Sequence, residues 1–159
     1  MKKSLLASSI ALALGCGMAA EAFAQANPNQ LIAQRKGAMN LQGKYFGSML
    51  AMVQGRVPYD VRTVQRNADY LAVLNQLPWD DFQASTVGAA NTRAKEDVYK
   101  DPAKFKAGIE TLQTEVQKLA GAARAGDQNA VGAAVRNVGR SCNSCHEAFA
   151  TFEFRFKLQ

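Results

Sequence analysis

The chain has 159 residues, 48% of them apolar and 20% charged. That balance supports one packed core and excludes a disordered, solvent-swollen chain. The formal charge is +6, but the lysines and arginines are scattered and form no basic block interleaved with aromatics, so solvated helix faces account for them better than a nucleic-acid surface does.

The first residues read as an export signal. Lys2 and Lys3 precede an apolar run from Leu5 to Leu14, and Ala22-Phe23-Ala24 supplies a small-residue cleavage site. The run is too short to span a bilayer, and no other stretch is long enough. Residues 1–24 are therefore assigned to a signal peptide and residues 25–159 to one domain. Cys16 follows Ala13-Leu14-Gly15, a poor lipoprotein box, and is read as a discarded residue of the signal. The remaining chain then holds two cysteines, in keeping with an exported, oxidising location. A modest positive field would bias association toward acidic partners.

Four amphipathic helices follow. The first is predicted from Pro28 or Asn29 to Gln54, with Leu31, Arg35, Met39, Phe46, Met49, Leu50 and Val53 sharing much of one face. Gly55 to Asp60 breaks it. Asp60 is positioned to cap a second helix carrying Val61, Val64, Ala68, Leu71, Ala72 and Asn75, which Pro78 stops. Residues 79–100 are polar and poorly periodic; they are predicted to form a long crossover with one short helical turn, anchored by Trp79, Phe82 and Tyr99. Asp101-Pro102 pairs a capping residue with proline at the first helical position. Phe105, Ile109, Leu112, Val116, Leu119 and Ala123 line that third helix, and Gly126 suits a left-handed end.

Asp127 begins the fourth helix. Val131, Val135, Val138, Cys142, Cys145, Phe149, Phe152 and Phe156 alternate spacings of four and three, placing both cysteines on the core-facing stripe. The end of the chain is ambiguous. Phe152, Phe154, Phe156 and Leu158 alternate with Thr151, Glu153, Arg155 and Lys157, a strand-like period of two. A lone strand has no partner in an all-helical domain, so helix is expected to continue to about residue 156. The fold class is all-α, an antiparallel four-helix bundle.

The chemistry lies at Cys142-Asn143-Ser144-Cys145-His146. A Cys-x-x-Cys-His run attaches c-type haem. Two thiols three residues apart leave one helical face and can add to both porphyrin vinyl groups, while the adjacent imidazole can bind iron from below. His146 is the only histidine, so no single chain can form a bis-histidine centre. A zinc site would lack two ligands of the usual kind, and a thioredoxin-like dithiol would belong to a βαβ unit that is not evident here. Covalent haem c, one per chain, is the reading the residues favour.

With these stretches in hand, the chain resembles cytochrome c′ over nearly all of residues 25–159. The resemblance rests on Arg35-Lys36-Gly37-Ala38-Met39, Gly55-Arg56-Val57-Pro58-Tyr59-Asp60, Leu77-Pro78-Trp79 with Phe82, Asp101-Pro102-Ala103-Lys104-Phe105, and the haem motif near the C-terminus. It implies a periplasmic haem protein, often a homodimer through its first two helices, with His146 as proximal iron ligand. It further implies a haem-propionate contact for Arg35 and a distal position for Met39, and it implies binding of nitric oxide and carbon monoxide. One departure is plain: relatives usually carry Arg or Lys four residues after the haem histidine, where this chain has Ala150.

Two functions follow and stay open at this level. Met39 packs over a five-coordinate iron that binds gases, or Met39 is itself the sixth ligand of a low-spin electron-transfer cytochrome serving a redox partner protein. An enzyme is not expected, because no catalytic dyad and no spare histidine are present.

Overall fold

The computed structural model describes residues 27–151 and 155–158. The expected signal peptide (1–24), Cys16, Phe152 and Phe154 lie outside the described residues. Among the described residues five α-helices occur: α1 (Pro28–Val53), α2 (Val61–Leu74), α3 (Asp97–Lys100), α4 (Pro102–Ala125) and α5 (Gln128–Phe149). α1, α2, α4 and α5 form an antiparallel four-helix bundle, and the single turn of α3 belongs to the crossover. α1 packs on α2 and α5, and α4 packs on α2 and α5, so the four long helices enclose one interior.

Local chemistry starts these helices where the sequence indicates. The Asp60 carboxylate accepts from the Thr63 amide at 2.6 Å, and that of Asp101 accepts from Lys104 at 3.0 Å. Asp127 accepts from Asn129 and Ala130, each at 3.0 Å. Each satisfies amides that have no partner within the helix. Asn27 does the same for α1, accepting from Asn29 at 2.9 Å just before Pro28. Gly126 ends α4 with φ 72°, a conformation that favours glycine. α2 stops before Pro78: Asn75 is its C-terminal cap, so Asn75 belongs to the turn rather than to the helical stripe.

The core follows the predicted stripes. Met49, Val64, Leu119, Val131, Val135 and Val138 are at most 1% exposed, each side chain stabilising the fold by about 1.5–3 kcal/mol relative to exposure. The crossover is anchored as expected on aromatics. Trp79 and Phe82 stack with centroids 6.2 Å apart, and Phe105 meets Phe82 at 5.0 Å and Phe149 at 5.2 Å. The Trp79 indole donates to the Asn75 carbonyl at 2.6 Å.

The end of the last helix departs from expectation. α5 stops at Phe149, not near residue 156, because the crossover supplies competing backbone partners. The Lys95 amide donates to the Phe149 carbonyl, and the Thr151 amide to the Arg93 carbonyl, both at 2.9 Å, while Ala94 and Ala150 form an isolated antiparallel bridge. Residues 155–158 are not helical and return along α5. There the Asn143 side chain grips Phe156 twice, accepting from its amide at 2.8 Å and donating to its carbonyl at 3.0 Å. Gln54 donates to the Lys157 carbonyl at 2.7 Å. The α5 stripe therefore does not carry helix through Phe156.

Candidate functional site

A cavity of about 540 Å³ lies inside the bundle, bordered by α1, α2, α4, α5 and the crossover, a size within the range of small-molecule and cofactor pockets. All five residues singled out in the sequence line it: Arg35 and Met39 from α1, and Cys142, Cys145 and His146 from α5. Phe46, Leu71, Leu112, Val116, Val138 and Phe156 make its apolar portion.

Helical spacing explains the α5 wall. Positions 138, 142, 145 and 149 continue the inward stripe, so both thiols reach the cavity and His146 follows in the last turn. Both cysteines are free. Burial pushes the Cys142 thiol up to about 12, with Cys145 adding to the shift, and burial also raises Cys145. Both are therefore protonated at neutral pH, the reverse of the depressed pKa that activates a redox dithiol. Among the described residues, no group of three or more His, Cys, Asp and Glu gathers to hold a metal ion unaided.

α1 supplies the opposite wall. Met39 is half-buried and Phe46 almost wholly buried. Polar residues of this helix, Lys36, Asn40 and Gln42, also border the space, and two of them have donors engaged elsewhere. The Gln42 amide nitrogen donates to the Leu74 carbonyl at 3.0 Å, and Lys36 Nζ to the Asn91 carbonyl at 3.2 Å.

Arg35 has the most demanding environment. It is 4% exposed, yet among the described residues no carboxylate pairs with it. One terminal nitrogen donates to Thr86 Oγ1 at 3.1 Å, the Asp81 carbonyl at 3.3 Å and Tyr99 Oη at 3.5 Å. The other donates to Thr92 Oγ1. The guanidinium also lies 4.4 Å from the centre of the Phe82 ring, a cation–π contact. Burial pushes the nearby Asp81 carboxyl up, Asp80 adds to the rise, and the Arg35 charge opposes it. A buried cation held by neutral oxygens retains charge that an acidic ligand group can meet. Thiols and imidazole on one wall, apolar sides and this cation together fit a flat apolar ring with an acidic edge.

Several contributors carry no local sequence signal. Thr86 is fully buried and also meets Tyr99 Oη at 2.6 Å, completing the Arg35 cradle. Phe156, by contrast, is on the stripe the sequence indicates, and it packs edge-on against Phe46, with centroids 4.5 Å apart. Arg93 reaches the cavity border from the crossover.

The cytochrome c′ family model matches residues 30–150. Cytochrome c′ of Alcaligenes xylosoxydans xylosoxydans is 36% identical over 124 residues, covering 78% of this chain and 95% of the relative. That of Rubrivivax gelatinosus is 34% identical over 122 residues, covering 77% and 95%. The crystal structure of the Rubrivivax gelatinosus protein superposes with a TM-score of 0.76 at 34% identity, covering 79% of this chain and 98% of that one. A nitric oxide complex of a variant of cytochrome c prime from Alcaligenes xylosoxidans gives 0.74 at 35% identity, covering 80% and 98%. Family model, sequence relatives and fold agree: the chain belongs to the cytochrome c′ family of c-type haem proteins, with haem c attached covalently.

Proposed function

We propose that this protein is an exported, periplasmic haem protein that binds nitric oxide and carbon monoxide at a five-coordinate iron, with Cys142 and Cys145 as the thioether anchors and His146 as the proximal ligand. The observation that carries the reading is the contrast between the cavity's two walls. α5 offers two thiols and the sole imidazole, while α1 offers Met39 and Phe46, with the Gln42 and Lys36 donors turned elsewhere and Asn40 at the border.

When bound, haem supplies an iron able to take a diatomic gas or exchange one electron. Cys142 and Cys145 would hold the group from α5, each S–H adding across one vinyl group. His146 would hold the metal, and the α1 wall would border the space for a small ligand. Met39 and Phe46 limit the size of what enters, and their lack of a donor disfavours dioxygen, whose bound form carries polar charge. Arg35 would meet a propionate, its fork preset by Thr86, Thr92 and Tyr99. The nitric oxide complexes among the structural neighbours support the gas-binding reading. We assign no catalysis to the site. Removal of residues 1–24 on export and a homodimer built on α1 and α2 complete the proposal; no described helix is long and apolar enough to cross a membrane.

A second reading rests on the same methionine. Met39 borders the cavity and is able to bind iron, which would make the protein a low-spin electron-transfer cytochrome serving a redox partner. Ferric absorption spectra of wild type and Met39→Ala separate the two. High-spin bands in both support gas binding; a low-spin wild type that turns high-spin on substitution replaces it with electron transfer. Haem that extracts into acidic organic solvent, or attaches unchanged when both Cys142 and Cys145 are alanine, would sink the anchor assignment.

A further inference from the structure

The helix that carries His146 ends one turn later, at a residue without charge, Ala150. The crossover pairs with it at that point. Ala94 lies opposite Ala150, the Thr151 amide donates to the Arg93 carbonyl at 2.9 Å, Thr151 Oγ1 does so at 3.3 Å, and the Lys95 amide donates to the Phe149 carbonyl at 2.9 Å. These bonds bracket residue 93 and hold its main chain at the C-terminal end of α5. The residue is solvent-exposed and borders the same cavity as His146 and Ala150.

Other charges lie near the same end of the site. Lys95 Nζ donates to the Glu147 carbonyl at 2.8 Å. The Glu147 carboxylate pairs with Arg155 at 3.6 Å. Lys36 reaches the Asn91 carbonyl, and Arg35 is absorbed in the Thr86–Tyr99 cradle. Of the basic residues bordering the cavity, Arg93 is the one whose backbone is fastened directly to the end of the His146 helix.

From this placement we infer that Arg93 is an electrostatic positioning residue for the His146 side of the site, delivered by the crossover, and that its cation raises the reduction potential of the metal His146 holds. The inference rests on the haem assignment above. The physical ground is Coulombic. A positive charge near a redox centre favours the form with one more electron, and because Arg93 faces solvent, salt weakens the effect. Lysine would keep the sign of the charge but lose the planar fork.

The test is potentiometric titration of haem-loaded wild type, Arg93→Gln and Arg93→Lys at low and high salt, with thermal unfolding followed alongside. The midpoint is expected to fall in Arg93→Gln and to stay near wild type in Arg93→Lys, with the gap between Gln and wild type narrowing as salt rises. Equal midpoints in wild type and Arg93→Gln at low salt overturn the role of Arg93, as does an equal drop in Arg93→Lys, which would indicate packing rather than charge. A wild-type protein with no covalently held haem overturns the underlying site reading instead. If Arg93→Gln is too unstable to load, the wild-type and Arg93→Lys salt dependences decide: midpoints that do not respond to salt in either protein reject the inference.

Discussion

The two ends of the cavity are built by different means. The apolar end is a meeting of helical stripes, with Phe46, Leu71, Leu112, Val116 and Val138 each arriving by the period of its own helix. The polar end is a wrap. The aperiodic crossover encloses Arg35 with Thr86, Thr92, Tyr99 and the Asp81 carbonyl. At the apolar end, losses should scale with the volume removed. At the polar end they should depend on how many partners one substitution strands, because each hydroxyl serves more than one neighbour. Thr86 shows this: its hydroxyl donates to the Gln83 carbonyl at 2.7 Å, accepts from Arg35 and meets Tyr99.

The sharpest way to break the contrast starts at the apolar end. Phe46→Ala removes a ring that is 2% exposed and packed edge-on against Phe156. It should cost about 3–5 kcal/mol, the range for deleting a buried aromatic, measured by urea unfolding of the haem-loaded protein. A cost below about 1 kcal/mol would mean that this end is loosely packed and the comparison has no basis.

Arg35→Met follows. It keeps much of the side chain's bulk and removes the donors that Thr86, Thr92, Tyr99 and Asp81 now meet. The expected loss is about 1–3 kcal/mol, read in the same titration, and Arg35→Lys should recover only part of it because one ammonium cannot reproduce the fork. Full recovery by lysine would reduce the cradle to a simple charge effect. A finer test is a double-mutant cycle on Thr86→Val and Tyr99→Phe. Each single change should cost about 1–2 kcal/mol, and together they should cost less than their sum, since the two hydroxyls share one bond. Strict additivity would show that the polar end is a set of independent contacts.

The same division explains what the sequence could disclose. Asp60, Asp101-Pro102, Gly126 and Asp127 act on neighbours within three residues, so the helix boundaries they set were legible from local spacing. The motif Cys142 to His146 is equally local. Arg35 and Met39 came into view only through family resemblance, since a buried arginine and a helical methionine look like any others in a periodic stripe. Thr86 and Arg93 were not legible at all: one is defined by Arg35, 51 positions away, the other by Thr151, 58 positions away. The end of α5 failed for the same reason. The partners that draw the chain off the helix, the 93–95 backbone and the Asn143 side chain, are not adjacent in sequence to the residues they hold.

Gly139 offers the smallest and most discriminating change, because it lies where α5, the returning tail and the apolar end meet. A methyl group there would overlap the end of the Leu158 side chain and come 3.1 Å from Phe46 Cζ. Leu158 sits near the end of the chain and can swing aside, whereas Phe46 is held by Phe156 and its burial. Alanine also favours the helix over glycine by about 1 kcal/mol. Gly139→Ala should therefore change stability by less than about 1 kcal/mol, the helical gain offsetting the lost Leu158 contact. It should nonetheless raise hydrogen exchange at the Phe156 amide that Asn143 now protects. Unchanged protection with a stability gain would mean that Leu158 contributes nothing to seating the tail. A loss of several kcal/mol would mean that the Phe46 ring was forced to move, making the apolar end as intolerant of a single atom as the polar end is of a lost hydroxyl.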